Sequence, residues 1–292
     1  MLTSEFDAPY AYSAITERPH RPFPGGARVA VWVGVNVEAY AFGQQALSVA
    51  PHGPFIPPDA MSYSWRDYGS RVGIFRMLEA MNAAGIRGSA ITNAEVLHRY
   101  PPVVEAIRAA GWDWVAHGRN NSILQTSMDP DAERAYVAEV TATFTEVLGL
   151  APRGWLGPAR VATLATNQLL ADAGYSYALE WNCDDQPFDF DLERGRLVSV
   201  PYSTEVNDII AFVFRGSSGA EFRQLVLDHV GTLRAQGERW PSVLGLSVHP
   251  FLCGQPAKLP YLMEALAEVA AHPDVWMTTS DEIAAWYREE GR

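Results

Sequence analysis

Cysteine is scarce in this chain, and its scarcity excludes two kinds of scaffold. The 292 residues include two cysteines, Cys183 and Cys253. Two cysteines cannot build a disulfide framework, and these two do not have the spacing of a zinc finger. We therefore expect the protein to work in a reducing compartment.

Positive charge and long apolar runs are also in short supply. The 22 basic residues are outnumbered by 34 acidic ones, the formal net charge is −12, and no basic run exceeds a pair. An acidic surface disfavours nucleic acid and anionic membranes as partners. No apolar run is long enough to span a membrane, and the N-terminal segment lacks a basic start followed by an apolar core. We expect a soluble, cytoplasmic protein that binds neither nucleic acid nor membrane.

Several catalytic signatures are missing as well. The chain has no G-x-S-x-G elbow for a nucleophilic serine, and neither cysteine precedes a helix pattern that would activate its thiol. It also has no glycine-rich loop of the kind that holds phosphate groups. These absences argue against covalent catalysis through serine or cysteine and against nucleotide binding.

What the chain does contain is an alternation of apolar strands and helical segments. The run RVAVWVGVNVEAY at 28–40 is rich in β-branched residues and predicts a strand buried on both faces. A long loop is predicted at 41–68. Further strands are predicted at 88–92, 113–118, 152–158, 175–181, 196–203, 209–215, 242–251 and 275–280, and helices at 71–85, 94–111, 129–149, 166–174, 221–237, 258–274 and the C-terminus. This order indicates an α/β barrel or a doubly wound sheet.

The domain organisation follows from composition. Residues 1–26 are a proline-rich extension that ends at Pro-Gly-Gly, and the remainder shows no internal repeat, low-complexity segment or composition shift. The length would suit one large barrel or two medium domains. We predict one barrel domain at 27–292.

Polar residues collect where the predicted strands end. Glu38 follows the first strand, and His117 and His249 follow two others. The carboxyl ends of parallel strands form the active-site edge of α/β folds, and a Glu with two His can activate water, hold a metal or donate a proton. A single histidine there is more often a structural hydrogen-bonding group, but two at equivalent ends make function as good an explanation. The other candidates are Asn36, Arg71, Arg119, Asn121, Trp155, Arg160, Asn182, Asp185 and Asn207. A residue such as Trp155 is more often part of the core than a substrate platform, and Asp185 equally suits a turn.

In their order, these segments resemble the polysaccharide deacetylase (NodB-homology) family, most closely its subgroup of metal-independent allantoinases and cyclic imide hydrolases. The resemblance covers about 27–288 and is carried by VNVEAY, DYGSRVGIFR, AAGWDWVAHG, GWLGPAR, WNCDDQPF, VPYSTEVND, LSVHPFLCGQP and TTSDEIAAW. It implies a distorted (β/α)7 barrel, which agrees with the predicted alternation of strands and helices.

Two departures from the family pattern bear on the chemistry. Where a polysaccharide deacetylase has an Asp-x-Asp pair of base and metal ligand, this chain has Asn36 and Glu38. Where it has a His-x-x-x-His pair of metal ligands, this chain has His117 and Asn121. An amide is a poor zinc ligand and cannot take a proton at neutral pH, so a firmly bound zinc and a standard sugar deacetylase are both disfavoured.

The resemblance and its departures imply a hydrolase that opens a small cyclic amide, imide or ureide, with cyclic imide ahead of allantoin. Glu38 and His117 would position or deprotonate water, either without a metal or with a weakly held divalent ion, zinc first, on those two side chains. His249, oriented by Asp185, would protonate the leaving nitrogen or stabilise the oxyanion, although which histidine is acid and which is base stays open. The ring would be bound by Asn36, Arg71, Arg119, Asn121, Trp155, Arg160, Asn182 and Asn207, with loop 41–68 and segment 67–71 closing the pocket.

Two alternatives remain at this point. One is a polysaccharide or peptidoglycan N-deacetylase, which would need an open groove. The other is a non-catalytic binding protein on a decayed deacetylase fold. The expected partners are a small-molecule substrate and further copies of the chain, since the subgroup implies a dimer or tetramer.

Overall fold

The structure is a computed structural model that describes residues 8–44 and 58–290. Its strands are β1 (Val29–Val37), β2 (Ser89–Thr92), β3 (Asp113–Ala116), β4 (Gly154–Trp155), β5 (Tyr177–Ala178), β6 (Phe188–Asp189), β7 (Val198–Ser199), β8 (Ser242–Val248) and β9 (Val275–Thr278). Its α-helices are α1 (Ala60–Tyr68), α2 (Ile74–Ala83), α3 (Ala94–Arg99), α4 (Pro101–Ala109), α5 (Pro130–Leu148), α6 (Thr166–Asp172), α7 (Gly219–Gln236), α8 (Leu259–Ala270) and α9 (Ser280–Glu290). Two π-helical segments span Gly69–Gly73 and Ile209–Phe214.

The strands form one curled, mixed sheet with the order β6-β7-β5-β4-β3-β2-β1-β8, and β9 pairs with the first half of β1. All of these pairings are parallel except that of β6 with β7. Residues 203–207, after β7, run beside β8: Ser203 N–H donates to Gly245 O, and Ser247 N–H donates to Val206 O. This irregular pairing joins the β7 end of the sheet to β8, and the predicted α/β barrel of the distorted NodB type is confirmed.

Strand alternation sorts the apolar side chains into two clusters. On β1, Val31 and Val33 point outward into a cluster with the surrounding helices, whereas Ala30 and Trp32 point inward. The inner cluster fills the amino end of the barrel, where Trp32 stacks on Tyr202 with ring centroids 5.0 Å apart. A Cβ at Gly245 would come within 2.6 Å of Trp32, so only glycine leaves room for that indole.

The helix boundaries follow local chemistry. Asp129 caps α5 by accepting a hydrogen bond from Ala132 N–H at 2.8 Å, and Gly149 ends this helix in the left-handed conformation with φ 77°. Ser218 and Glu221 form a capping box at the start of α7. The two predicted ends of α5 are confirmed.

Three predicted elements need correction. Residues 60–68 of the predicted loop form α1, which Asp59 caps by accepting from Ser62 N–H. The predicted helix 94–111 is two helices that meet at Tyr100, because Pro101 begins the second. The predicted strand 209–215 is π-helical, because Asn207 accepts hydrogen bonds from two backbone N–H groups beyond it and turns the chain. Residues 1–7 of the extension and 45–57 of the loop lie outside the described residues.

Within residues 8–44 and 58–290, no helix is long and apolar enough to cross a membrane. The described part of the extension contacts the amino end of the barrel. Phe23 is buried there and packs on Trp286 of α9 with a centroid distance of 4.6 Å, and Arg18 pairs with Asp184. The division between extension and barrel at residue 26 stays a prediction.

Candidate active site

The site lies where the inward rows of side chains change from apolar to polar. On β1, the row of Ala30 and Trp32 continues to Asn36 and then to Glu38, one residue past the strand. On β3 the inward Val115 is followed by His117, and on β8 the inward Val243 leads to His249. Because inward positions recur every two residues, these three chain segments aim Glu38 and both histidines at one point.

The three side chains meet at the floor of a cavity. Glu38 Oε1 lies 3.4 Å from His117 Nε2 and 3.7 Å from His249 Nε2. The cavity has a volume of about 580 Å³. It is lined by Asn36, Glu38, Tyr40, His117, Asn121, Ser122, Leu124, Leu156, Ala159, Arg160, Tyr202, Asn207, Ile209, Ile210, Ser247 and His249. Catalytic groups at one end and apolar side chains around them are typical of a small-molecule site.

Glu38 is held as a carboxylate. Its side chain is 5% exposed, yet Oε1 accepts a hydrogen bond from Asn121 Nδ2 at 2.6 Å and Oε2 accepts one from the Tyr40 hydroxyl. Burial by itself would raise the pKa of Glu38, but the charge of His249, the neighbouring His117 and the hydrogen bond from Tyr40 outweigh it and lower this pKa to about 2. Burial and the Glu38 charge raise the pKa of Tyr40 well above its usual value, so the phenol remains a donor.

His117 has one ring nitrogen committed and one directed at the cavity. Its Nδ1 is 2.7 Å from the backbone oxygen of Leu156, and a carbonyl can only accept, so Nδ1 carries a proton. Nε2 therefore faces Glu38 and the cavity as the atom that can exchange a proton. This fixed orientation suits a general base.

His249 is paired with Asp208, and not with Asp185 as the sequence predicts. Asp208 is fully buried; its Oδ1 lies 2.6 Å from His249 Nδ1, and its Oδ2 accepts from His249 N–H at 2.7 Å. Burial lowers the pKa of His249, but the charges of Asp208 and Glu38 outweigh this effect and the net pKa is raised. Asp185 lies at the other end of β8, where its backbone oxygen accepts from Val243 N–H and His229 is its nearest histidine.

Asn121 turns its amide nitrogen toward the site. Ala39 N–H donates to Asn93 Oδ1, so Asn93 Nδ2 is the atom that donates to Asn121 Oδ1 at 2.9 Å. With its oxygen engaged, Asn121 presents Nδ2 to Glu38. A divalent cation at this position would meet N–H groups instead of a lone pair. Among the described residues, no group of three or more His, Cys, Asp or Glu side chains could hold a metal ion. The donor set does not fit the family's zinc centre.

Arg160 lies in the cavity wall on a constrained backbone. Ala159 and Arg160 both have φ 56°, in the left-handed region. The guanidinium stacks on the Tyr202 ring at 4.4 Å and donates to Thr204, Ser203 O and Asn182 Oδ1. Asn182 therefore supports Arg160 and is not part of the cavity lining.

Asn36 and Asn207 belong to the polar floor. Asn36 Nδ2 donates to the Tyr202 hydroxyl at 2.7 Å and to Val248 O at 3.1 Å. Asn207 Nδ2 donates to the Ser247 hydroxyl at 3.0 Å. These bonds fix both amides beside the histidines.

Three more sequence candidates lie away from the cavity, in addition to Asn182 and Asp185. Arg71 has a side chain 74% exposed and pairs with Asp67, one turn earlier on the same helical segment. Arg119 reaches outward to Glu95 and Glu139. Trp155 is fully buried in the outer cluster, because strand alternation turns its neighbour Leu156 inward instead.

Sequence analysis did not identify several residues of the site. It assigned Asp185 to His249, although Asp208 directly follows the candidate Asn207. Tyr40 lies two residues after Glu38, and this period-2 spacing was a usable signal. Ile209 and Ile210 belong to the predicted strand 209–215, which gave no sign that they line the cavity.

Comparisons with known proteins agree with this geometry. No family model matches the chain. A Schizosaccharomyces pombe protein named a polysaccharide deacetylase is 25% identical over 301 residues, which cover 91% of this chain and 92% of that protein. The crystal structure of PuuE allantoinase matches with a TM-score of 0.82 and 27% identity, covering 93% of this chain and 94% of the other. A polysaccharide deacetylase structure from Pseudomonas aeruginosa PAO1 matches with a TM-score of 0.84 and 25% identity, covering 94% and 95%.

The curled sheet with its acid and two histidines at the carboxyl edge defines a NodB-type barrel hydrolase. The full-length matches specify this further: over more than nine tenths of its length the chain is similar to proteins named polysaccharide deacetylases and to an allantoinase.

Proposed function

We propose that the protein hydrolyses the C–N bond of a small cyclic amide, imide or ureide without a metal ion. The observation that carries this proposal is the Asn121 amide. It donates to Glu38 at the position where a deacetylase of this family would place a second metal-binding histidine. The site offers a carboxylate, two oriented histidines and amide groups as its chemistry.

The proton positions suggest one division of labour. His117 Nε2 takes a proton from a water molecule that Glu38 Oε1 orients, and the water oxygen attacks the ring carbonyl carbon. His249, whose pKa is raised by Asp208 and Glu38, donates the proton that the leaving ring nitrogen needs when the C–N bond breaks. Glu38, with a pKa lowered to about 2, acts as a fixed negative charge that favours the imidazolium form of His249.

A cyclic imide or ureide suits a site of this kind. The nitrogen that leaves a ring carbonyl is conjugated to a second carbonyl, so charge that builds up on it is delocalised. Such a substrate needs less electrophilic help than a sugar acetamide does. The side-chain amides around Glu38 can pair with the alternating acceptors and donors of a –CO–NH–CO– edge, and the PuuE allantoinase match supports ring opening.

The test is a substrate panel combined with metal analysis. The purified protein would be assayed on succinimide, glutarimide, hydantoin and allantoin before and after chelation, with its zinc content measured. Ring opening that survives chelation in a zinc-free sample is expected. Binding of a ring without turnover would favour a non-catalytic protein, and activity only with stoichiometric zinc would contradict the proposal.

Deacetylation of an N-acetyl sugar is the second candidate. The S. pombe match carries the name polysaccharide deacetylase, and linear and cyclic amides pass through the same type of tetrahedral intermediate. Acetate release from N-acetylglucosamine oligomers, measured beside the ring panel, separates the two. A deacetylase would release acetate and leave every ring intact.

A further inference from the structure

Arg160 is the cationic side chain of the catalytic cavity that has no acidic partner. Among the described residues, no Asp or Glu oxygen lies within ion-pair distance of its guanidinium. Its acceptors are neutral: two backbone oxygens, a hydroxyl and an amide. The Arg160 charge acts on the pKa of Glu180, but this carboxyl group accepts its hydrogen bonds from the backbone N–H groups of Gly157 and Leu179. A half-buried guanidinium without a counter-charge costs stability that a ligand anion would offset.

The guanidinium is also held in one orientation. The Tyr202 ring lies against one face of the guanidinium, and all four hydrogen-bond acceptors of Arg160 bond to Nη1 or Nη2. No described residue accepts from Nε–H, which leaves one edge of the planar group free. The backbone at Ala159 and Arg160 is left-handed, with φ 56° at both residues. This conformation costs free energy in non-glycine residues and is found most often at functional sites. A free N–H edge on a rigid guanidinium is suited to a carboxylate.

The cavity is larger than a bare ring requires. About 580 Å³ lies within the range that accommodates drug-sized ligands, far above the volume of an unsubstituted five-membered imide. Leu156, Ile209 and Ile210 supply apolar wall between the histidines and the solvent. Tyr202 contacts both the polar floor of the cavity and Arg160 in its wall, because its hydroxyl accepts a hydrogen bond from Asn36 and its ring stacks on the Arg160 guanidinium.

We propose that Arg160 binds a carboxylate substituent on the ring, so that the substrate is an anionic cyclic imide or ureide. That the substrate is a ring rests on the proposed function, whereas that it carries a carboxylate rests on Arg160 alone. The reacting carbonyl lies over Glu38 and the histidines, while the carboxylate reaches Arg160 across the Tyr202 ring. A neutral ring such as hydantoin is then a poor substrate.

The experiment compares a hydantoin that carries a carboxymethyl group with its methyl ester. Wild type is expected to prefer the acid by at least about tenfold in kcat/KM, since a charge-assisted hydrogen bond is roughly twice as strong as a neutral one. Arg160→Gln should abolish this preference, because it lowers kcat/KM for the acid by about that factor more than for the ester. Arg160→Lys should keep part of the preference, and Arg71→Gln, an exposed arginine outside the cavity, should keep all of it.

Several results would overturn the inference. Equal kcat/KM for acid and ester in wild type would do so without any variant, even if Arg160→Gln fails to fold. An equal loss on both compounds in Arg160→Gln would reduce Arg160 to a structural support of residues 203–204. If neither compound is hydrolysed, the ring-opening proposal fails, but calorimetry still tests the role of Arg160. Tighter binding of the acid than of the ester, with the difference lost in Arg160→Gln, would support carboxylate binding by Arg160. Equal binding of the two compounds would refute it.

Discussion

The two ends of the barrel each contain a cavity of similar size, but arginine and acidic side chains are paired at one end and kept apart at the other. At the amino end, a cavity of about 530 Å³ is lined by aromatic side chains of the extension and α9, and Arg18 binds Asp184 through two contacts of 2.6 Å. At the carboxyl end, Glu38 has no arginine partner and Arg160 has no acid among the described residues. Paired charges cancel each other and stabilise structure, whereas charges kept apart across a cavity remain available to a substrate.

Removing the central charge at the carboxyl end should have the largest effect. Glu38→Gln keeps the shape but removes the charge that orients water and supports the imidazolium form of His249, so kcat/KM should fall about 10³-fold. Ring-opening kinetics with a thermal melt would measure this. The matched change at the amino end, Asp184→Asn, should leave kcat/KM within about twofold and cost roughly 1 kcal/mol or less of stability. Equal losses in the two variants would contradict the distinction between the ends.

In the proposed mechanism, the pairing of His249 with Asp208 should set the alkaline limit of activity. The pKa of His249 is raised, so its acid form is present below that value and is lost as pH rises through it. Asp208→Asn removes one cause of the rise, so the alkaline limb of the kcat profile should move to lower pH and the maximum should fall about tenfold to a hundredfold. Asp185→Asn, at the amino end, should leave the profile in place. An unmoved limb in Asp208→Asn would exclude His249 as the acid.

Replacing the Asn121 amide with an imidazole should convert the cavity floor into a zinc-binding site. Asn121→His would place a third ligand beside Glu38 and His117, and three protein ligands with an open position are the donor set of a catalytic zinc site. We expect zinc content to rise from substoichiometric to about one per chain by metal analysis. Asn121→Gln, which adds no imidazole, is the control. A zinc-free Asn121→His protein would show that other features of the floor exclude the ion.

Backbone strain gives the smallest predicted effect. Ala159 holds φ 56° beside Arg160, and glycine adopts this conformation without the steric cost of a Cβ. Ala159→Gly should therefore stabilise the protein by about 0.5–1 kcal/mol in a denaturant titration. The reference change is Ala142→Gly on the exposed face of α5, which should destabilise it by about the same amount. Destabilisation by both changes would mean that the turn is not strained.

Local patterns predicted most of the framework. The β-branched run at 28–40 became β1, and the Asp129 and Gly149 signals became the ends of α5, because caps and strand alternation depend on neighbouring residues. The short apolar run IIAFVF was misread as a strand. Periodicity cannot distinguish a strand from a helical turn over six residues, and the deciding contact came from Asn207.

Candidate site residues were predictable where strand direction alone places them. Glu38, His117 and His249 each end an inward-facing row, so the parallel-sheet rule sufficed to bring them together. The rule failed for Arg71 and Arg119. Arg71 pairs with Asp67 on its own helical segment, and Arg119 pairs with Glu95 and Glu139 on two helices outside the sheet.

The sequence by itself determined which residues can reach the carboxyl edge of the barrel, because alternation along each strand is a local property. It also determined that an amide occupies position 121. Only the tertiary structure decided how these groups are used. The partner of His249 is Asp208 because residues 203–207 close the barrel against β8, and Asn121 presents nitrogen because Asn93 occupies its oxygen. Those choices depend on hydrogen bonds between residues far apart in the chain, which acquire their geometry only when the sheet curls.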